Sequence, residues 1–92
     1  MFKWDEDKAR QNIIKHGVTF DEAKAVFSDP FAFMRYDDRF DYGEDRFVII
    51  GMSAAKVLYV VAVERDGPVR IISARKATKE EADVYFKAAN GR

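Results

Sequence analysis

Residues 57–78 read VLYVVAVERDGPVRIISARKAT, and this stretch decides the fold. Val57 to Arg65 and Val69 to Arg75 are rich in β-branched and aromatic residues, which suit a pleated, half-buried surface, and Asp66-Gly67-Pro68 supplies turn chemistry between them. The spacing predicts a hairpin that runs straight into a helix opened by Thr78. Basic residues collect at its ends: Arg65 and Arg70 flank the turn, and Arg75 and Lys76 stand where the second strand leaves the sheet. A guanidinium there offers a planar fork of donors to a phosphate or a carboxylate. Surface salt bridges fit the same spacing, so both readings stay open at this point.

Upstream, Phe2-Lys3-Trp4 suggests a short edge strand or an anchor. Asp5 is a good N-cap for a helix over Glu6 to His16, with Glu6 and Asp7 in the first turn, Lys15 and His16 in the last, and Gly17 as the left-handed stop. Its apolar stripe is Ala9, Ile13 and Ile14, which leaves Lys8, Arg10, Gln11, Asn12 and Lys15 for solvent. Thr19 and Glu22 form a capping box for a second helix over Phe20 to Phe27, ended by Ser28-Asp29-Pro30; its stripe of Phe20, Ala23, Val26 and Phe27 belongs to a core.

Phe31 to Tyr36 and Arg46 to Met52 read as strands. Between them Asp37, Asp38, Asp41, Glu44 and Asp45 make a polar connection whose spacing does not match a calcium loop, so it reads as a solvated hairpin loop and not a metal site. Thr78 and Glu81 form a second capping box, and Lys79 to Ala89 is the last helix, with Ala82, Tyr85, Phe86 and Ala89 on one face. The expectation is therefore an α+β chain, a single domain over 1–92: an antiparallel four-stranded meander sheet, two N-terminal helices packed on one face, and a C-terminal helix gathered on that same face.

Composition narrows the chemistry. The 92 residues contain no Cys and one His, which removes thiol chemistry, a disulfide framework, paired-His catalysis and a His-rich metal site. Apolar runs fall far short of the roughly 20 residues that span a bilayer, and the start is not a signal peptide, so a cytoplasmic chain is expected. Zero net charge hides an asymmetry: residues 1–45 carry 7 Lys+Arg against 11 Asp+Glu, and 46–92 carry 9 against 5. A neutral total argues against strong nonspecific duplex binding, while a local basic face can still grip a short stretch of nucleic acid. His16 fits two roles, a helix C-terminal cation and a general base. Glycine-rich phosphate loops and serine-hydrolase or zinc-protease motifs are absent. What remains is a distributed set of Arg46, Arg65, Arg70, Arg75, Lys76 and Tyr85; arginines on a sheet face or rim suit the extra charge of a pentacoordinate phosphate, as in metal-free RNA cleavage, but spacing alone does not separate that reading from surface salt bridges.

Several strings are more specific. Phe2-x-Trp4-Asp5-x-x-Lys8, Lys15-His16-Gly17-Val18-x-Phe20-x-Glu22-Ala23, Val26-Phe27-x-Asp29-Pro30, Glu44-x-Arg46, Gly51-x-Ser53 and Arg70-Ile71-Ile72-Ser73-Ala74-Arg75-x-Ala77-Thr78 closely resemble the BrnT family of bacterial toxins. The resemblance covers nearly the whole chain in order. It implies a RelE-like fold and a ribonuclease that needs no cofactor, stops translation and arrests growth. It also implies neutralisation by a BrnA-type antitoxin that dimerises through a ribbon-helix-helix domain, assembly as a toxin–antitoxin heterotetramer, and repression of the operon with DNA contacted only through the antitoxin. A protein that only binds its antitoxin and regulates the operon is the alternative. Glu81-Ala82 stands where members often carry Glu-Arg, and the turn from Ser53 to Lys56 lacks the usual Gly. Under this resemblance Arg46 and Arg75 are expected on the scissile phosphate, with His16 or Glu64 as proton acceptor. Lys8, Arg70 and Lys76 are expected on RNA, and Tyr85 as a stacking or proton-donating group.

Overall fold

The computed structural model describes residues 2–36, 46–64 and 67–91; the acidic connection 37–45 and the turn residues Arg65 and Asp66 lie outside the described residues. Strand β1 (Phe2–Lys3) leads into helix α1 (Glu6–His16), then α2 (Phe20–Lys24) and a 3-10 turn over Ala25–Ser28. Strands β2 (Phe33–Tyr36), β3 (Arg46–Ser53), β4 (Lys56–Val63) and β5 (Val69–Lys76) follow, and α3 (Lys79–Asn90) closes the chain. The local signals explain these boundaries. Asp5 accepts from the backbone N–H groups of Asp7 and Lys8, Gly17 ends α1 at φ 68°, and both capping boxes, Thr19/Glu22 and Thr78/Glu81, are complete.

Three expectations about the architecture need correction. Among the described residues the sheet has five strands in the order β1-β5-β4-β3-β2, because β1 adds to the outer side of β5 in parallel; only β2 to β5 form the antiparallel meander. The helices also divide between the two faces. On one, α2 and its 3-10 turn bury Phe20, Ala23 and Val26 against Phe47, Ile49, Leu58, Val60, Ala62, Ile71 and Ala74. On the other, Tyr85 and Ala82 of α3 pack on Val48, Ile50, Val57 and Tyr59. The alternation of side chains along β3 and β4 makes both faces apolar, and a sheet that is apolar on both faces needs cover on both.

The third correction concerns the rotation of α1. Ile13 is 46% and Ile14 83% exposed, whereas Asn12, expected in water, is 5% exposed. The reason is the edge of β5. Strand β1 pairs only with Val69 and Arg70, so beyond them the β5 backbone needs another partner. The Asn12 amide supplies it: Nδ2 donates to the Ala74 carbonyl at 2.7 Å and Oδ1 accepts from the Ala74 N–H at 3.1 Å, while Nδ2 also donates to the Val18 carbonyl at 2.9 Å. Isoleucine can do neither. Replacing Asn12 by Ala should strand three buried backbone groups and cost about 2–4 kcal/mol, read as a lower urea midpoint with unchanged slope.

Candidate functional site

Rotated this way, α1 turns one polar stripe, Lys8, Asn12, Lys15 and His16, toward β5, since residues spaced by three, four and seven share a helix face. Lys8, Lys15 and His16 line a cleft of about 230 Å³ with Gln11, Ile72 and Ser73. The strand side of that cleft is a β-bulge: pairing between β4 and β5 shifts by one residue between Val61 and Ala62, leaving Ile72 as the extra residue. Bulges re-aim side chains and recur beside functional sites. Two sequence-predicted residues, Lys8 and His16, thus meet. Lys15 and Ser73 join them, and both were legible only in part: the Lys8–Lys15 spacing is in the sequence, the bulge is not.

The arginines lie elsewhere. Cross-strand register sets Arg46, Val63 and Arg70 in one row over β3, β4 and β5, with the two arginine Cα atoms about 10 Å apart. Two rows along, Arg75 sits beside Tyr59, and Arg35 of β2 pairs with Val48 in the row between. Partners directly opposite share a face, so Arg35, Arg46, Arg70, Ser73 and Arg75 all belong to the face that carries α3. Arg35 went unmarked in the sequence, although the period-two alternation of Phe33 and Arg35 already put it there. Glu64 is exposed just past β4, and Lys76 is exposed at the far end of β5.

Arg75 and Tyr85 are committed inside the protein. The Arg75 guanidinium donates to both oxygens of Glu81, at 2.9 and 3.1 Å, and stacks 3.8 Å over the Tyr59 ring. The Glu81 hydrogen bonds hold Arg75 above its ordinary pKa despite partial burial, and the same bonds hold Glu81 below its own. The fork expected on a phosphate is therefore filled by a carboxylate. Tyr85, expected as a stacking or proton-donating group, is only 3% exposed, and its hydroxyl donates to Asp29. The stripe of α3 faces the sheet, which takes Tyr85 into the core.

Asp29 is the group that sequence reading treated only as a helix stop. One of its oxygens accepts from the Phe31 N–H at 2.9 Å, and the other accepts from the Met52 N–H at 2.7 Å and from Tyr85. Burial acts to raise its pKa, but these three donors together hold it below the ordinary carboxylate value. Gly51 permits the approach, since a Cβ there would stand 2.8 Å from Ala32 Cβ and 3.1 Å from the Asp29 carboxylate. Nearby, Lys56 pairs with Glu22 at 2.8 Å, and Ser53 donates to the Glu22 carbonyl.

With that geometry in place, comparison with known proteins decides the family. The family model described as "Ribonuclease toxin, BrnT, of type II toxin-antitoxin system" matches residues 4–81. The chain belongs to the BrnT family of ribonuclease toxins. Membership in a type II toxin–antitoxin family implies an antitoxin partner. No curated protein matches the chain. The match spans both the α1–β5 cleft and the Arg46–Arg70 row of this BrnT-family toxin. Among the described residues no helix is long and apolar enough to cross a membrane, and no three His, Asp or Glu residues stand together to hold a metal.

The Tyr85–Asp29 contact has a pH signature. Burial, with the Asp29 carboxylate beside it, pushes the Tyr85 phenol from 10.0 up to about 12. The folded state favours the protonated phenol, so this stabilisation is complete below pH 10 and is lost as pH rises toward 12. Tyr85→Phe should lower stability at neutral pH by about 1–2 kcal/mol and flatten that alkaline loss, as read by denaturation at stepped pH.

Proposed function

We propose that this BrnT-family toxin cleaves single-stranded RNA in the cleft between α1 and β5, without a metal, by attack of a 2′-hydroxyl on its own phosphodiester. The observation that carries the reading is the meeting of His16, the one histidine of the chain, with Lys8 and Lys15 in an open cleft. His16 accepts the 2′-hydroxyl proton, and the freed oxygen bonds to phosphorus. The bond to the 5′ oxygen then breaks, leaving a 2′,3′-cyclic phosphate, and the departing oxygen takes a proton from water. Lys8 and Lys15 oppose the charge that grows on the phosphate, the kind of electrostatic help that gains strength where water is thin.

The Arg46–Arg70 row, with Arg35, holds a neighbouring part of the strand, and Glu64 beside that row is the competing proton acceptor. Arg75 acts by positioning: clamped to Glu81 and Tyr59, it fixes the corner between β5 and α3. Lys76, exposed beyond it, extends the basic rim. Cleavage of cellular RNA then stops translation and growth in the cytoplasm. A BrnA-type antitoxin with a ribbon-helix-helix domain neutralises the toxin in a heterotetramer and contacts operator DNA on its behalf.

A second reading, a chain that binds antitoxin and regulates its operon without cutting RNA, is favoured by one observation: Arg75 and Tyr85 are both engaged internally. Purified chain free of antitoxin separates the two. His16→Gln should lower RNA cleavage by about 100-fold or more with an unchanged melting curve, whereas Glu64→Gln should change it little. Wild-type cleavage should be the same with and without EDTA. Intact RNA under all conditions, with a tight antitoxin complex still formed, would support the binding-only reading, a large Glu64 effect would move the base to the sheet row, and EDTA sensitivity would end the metal-free mechanism.

A further inference from the structure

A second cleft, of about 280 Å³, opens beside the first and is lined by Lys3, Trp4, Asp5 and Arg70. Its components come from β1, from the cap of α1 and from the start of β5. Lys3 and Arg70 are direct partners in the parallel pairing of β1 with β5, and both are exposed, so two cations stand side by side at its rim. Trp4 is half-buried and held in place. Its Nε1 donates to Glu6 at 2.9 Å, Phe20 meets its ring edge-on with centroids 5.8 Å apart, and the Lys24 ammonium lies 5.7 Å from its centroid. Asp5 is the one acidic residue among those lining the cleft, and its Oδ1 accepts from both the Asp7 and Lys8 N–H groups as the cap of α1. A fixed aromatic plane beside two exposed cations is the combination that proteins use for a nucleotide of a single strand: base against ring, phosphate against cation.

The two clefts follow one seam. On the helix side, Asp5 belongs to the second cleft and Lys8 to the first, one helical turn apart. On the strand side, Arg70 belongs to the second and Ile72 to the first, a separation of about 7 Å along β5. A single nucleotide of an unstacked strand covers such a step, and a rigid duplex cannot enter two recesses of this size in succession.

We propose that the Lys3–Trp4–Arg70 cleft is a nucleotide-binding subsite, next along the strand from the His16 cleft, in which Trp4 contacts a base and Lys3 and Arg70 hold its phosphate. The proposal rests on the reading of the His16 cleft as an RNA site, and it adds a preference for unpaired RNA and a place where base identity is felt.

Trp4 is the only tryptophan, so its emission reports the subsite directly. The full chain is titrated with a tetranucleotide methylated at every 2′-oxygen, which binds without being cut, and overall binding is followed in parallel by anisotropy of an end label. The expected result is a saturable change in Trp4 emission with the same midpoint as the anisotropy. Lys3→Ala and Arg70→Ala should each weaken binding about three- to tenfold and lower the salt slope by about one. Trp4→Phe, which keeps a ring on Phe20, should shift the order of affinities among tetranucleotides that differ in one base. A duplex of the same sequence should leave the emission unchanged. Binding by anisotropy with silent Trp4 emission, or unchanged affinity in both alanine variants, overturns the subsite and leaves the His16 cleft standing. No binding by either readout overturns both.

Discussion

The Asn12 amide on the Ala74 backbone is the contact from which the proposed functional surface follows. Strand β1 covers only the first two residues of β5, and a strand edge left bare inside a protein costs about 1–3 kcal/mol for each unmet group. A side-chain amide, with a donor and an acceptor on one plane, closes that edge as a neighbouring strand would. Because successive residues of a helix turn by about 100°, fixing position 12 fixes the rest of α1. Lys8, Lys15 and His16 then face β5, and Ile14 is left in water. Burying Ile14 instead would gain about 2–3 kcal/mol by area, and the three backbone groups then left without partners, at about 2–4 kcal/mol together, offset that gain.

A second set of contacts secures the opposite face. Asp29 gathers Phe31, Met52 and Tyr85, joining the turn before β2, the end of β3 and the last helix at one carboxylate. Arg75 does the same for β5 and α3 through Glu81 and Tyr59. This changes the competition for an incoming phosphate. To reach Arg75 it must displace a bidentate carboxylate and part a guanidinium from a ring, each a net loss before anything is gained. At Lys8 and Lys15 it displaces only water. The exposed ammonium groups are therefore the easier anion site, although a guanidinium is the better phosphate ligand when free.

What was legible in the sequence was what is local. Asp5, Gly17 and the two capping boxes set their helix ends from within a few residues, and the alternating runs set the four antiparallel strands. The hairpin over residues 57–78 placed β4 and β5 side by side, and the resemblance of the quoted strings to BrnT toxins pointed to the right family. The rotation of α1 was not legible, because Ile13 and Ile14 look like a buried stripe until the bare edge of β5 is known, 62 residues beyond Asn12. The same holds for Tyr85 and Asp29, which lie 56 residues apart, and for α3, whose apolar face is equally compatible with either side of a sheet that is apolar on both. Of the site residues, Lys8 and His16 come together, Arg46 and Arg70 form a separate row, and Arg75 and Tyr85 turn inward.

The central claim is that the seam between α1 and β5, and not the arginine face of the sheet, holds the phosphate of the RNA. A crystal structure of the antitoxin-free chain with a trinucleotide carrying a 2′-deoxy sugar at the cleavage position tests it most directly. The predicted result is a phosphate within hydrogen-bond reach of the Lys8 or Lys15 ammonium, with a ring nitrogen of His16 facing the 2′ position. A trinucleotide lying instead across Arg46 and Arg75, with the α1–β5 cleft open to solvent, would contradict it.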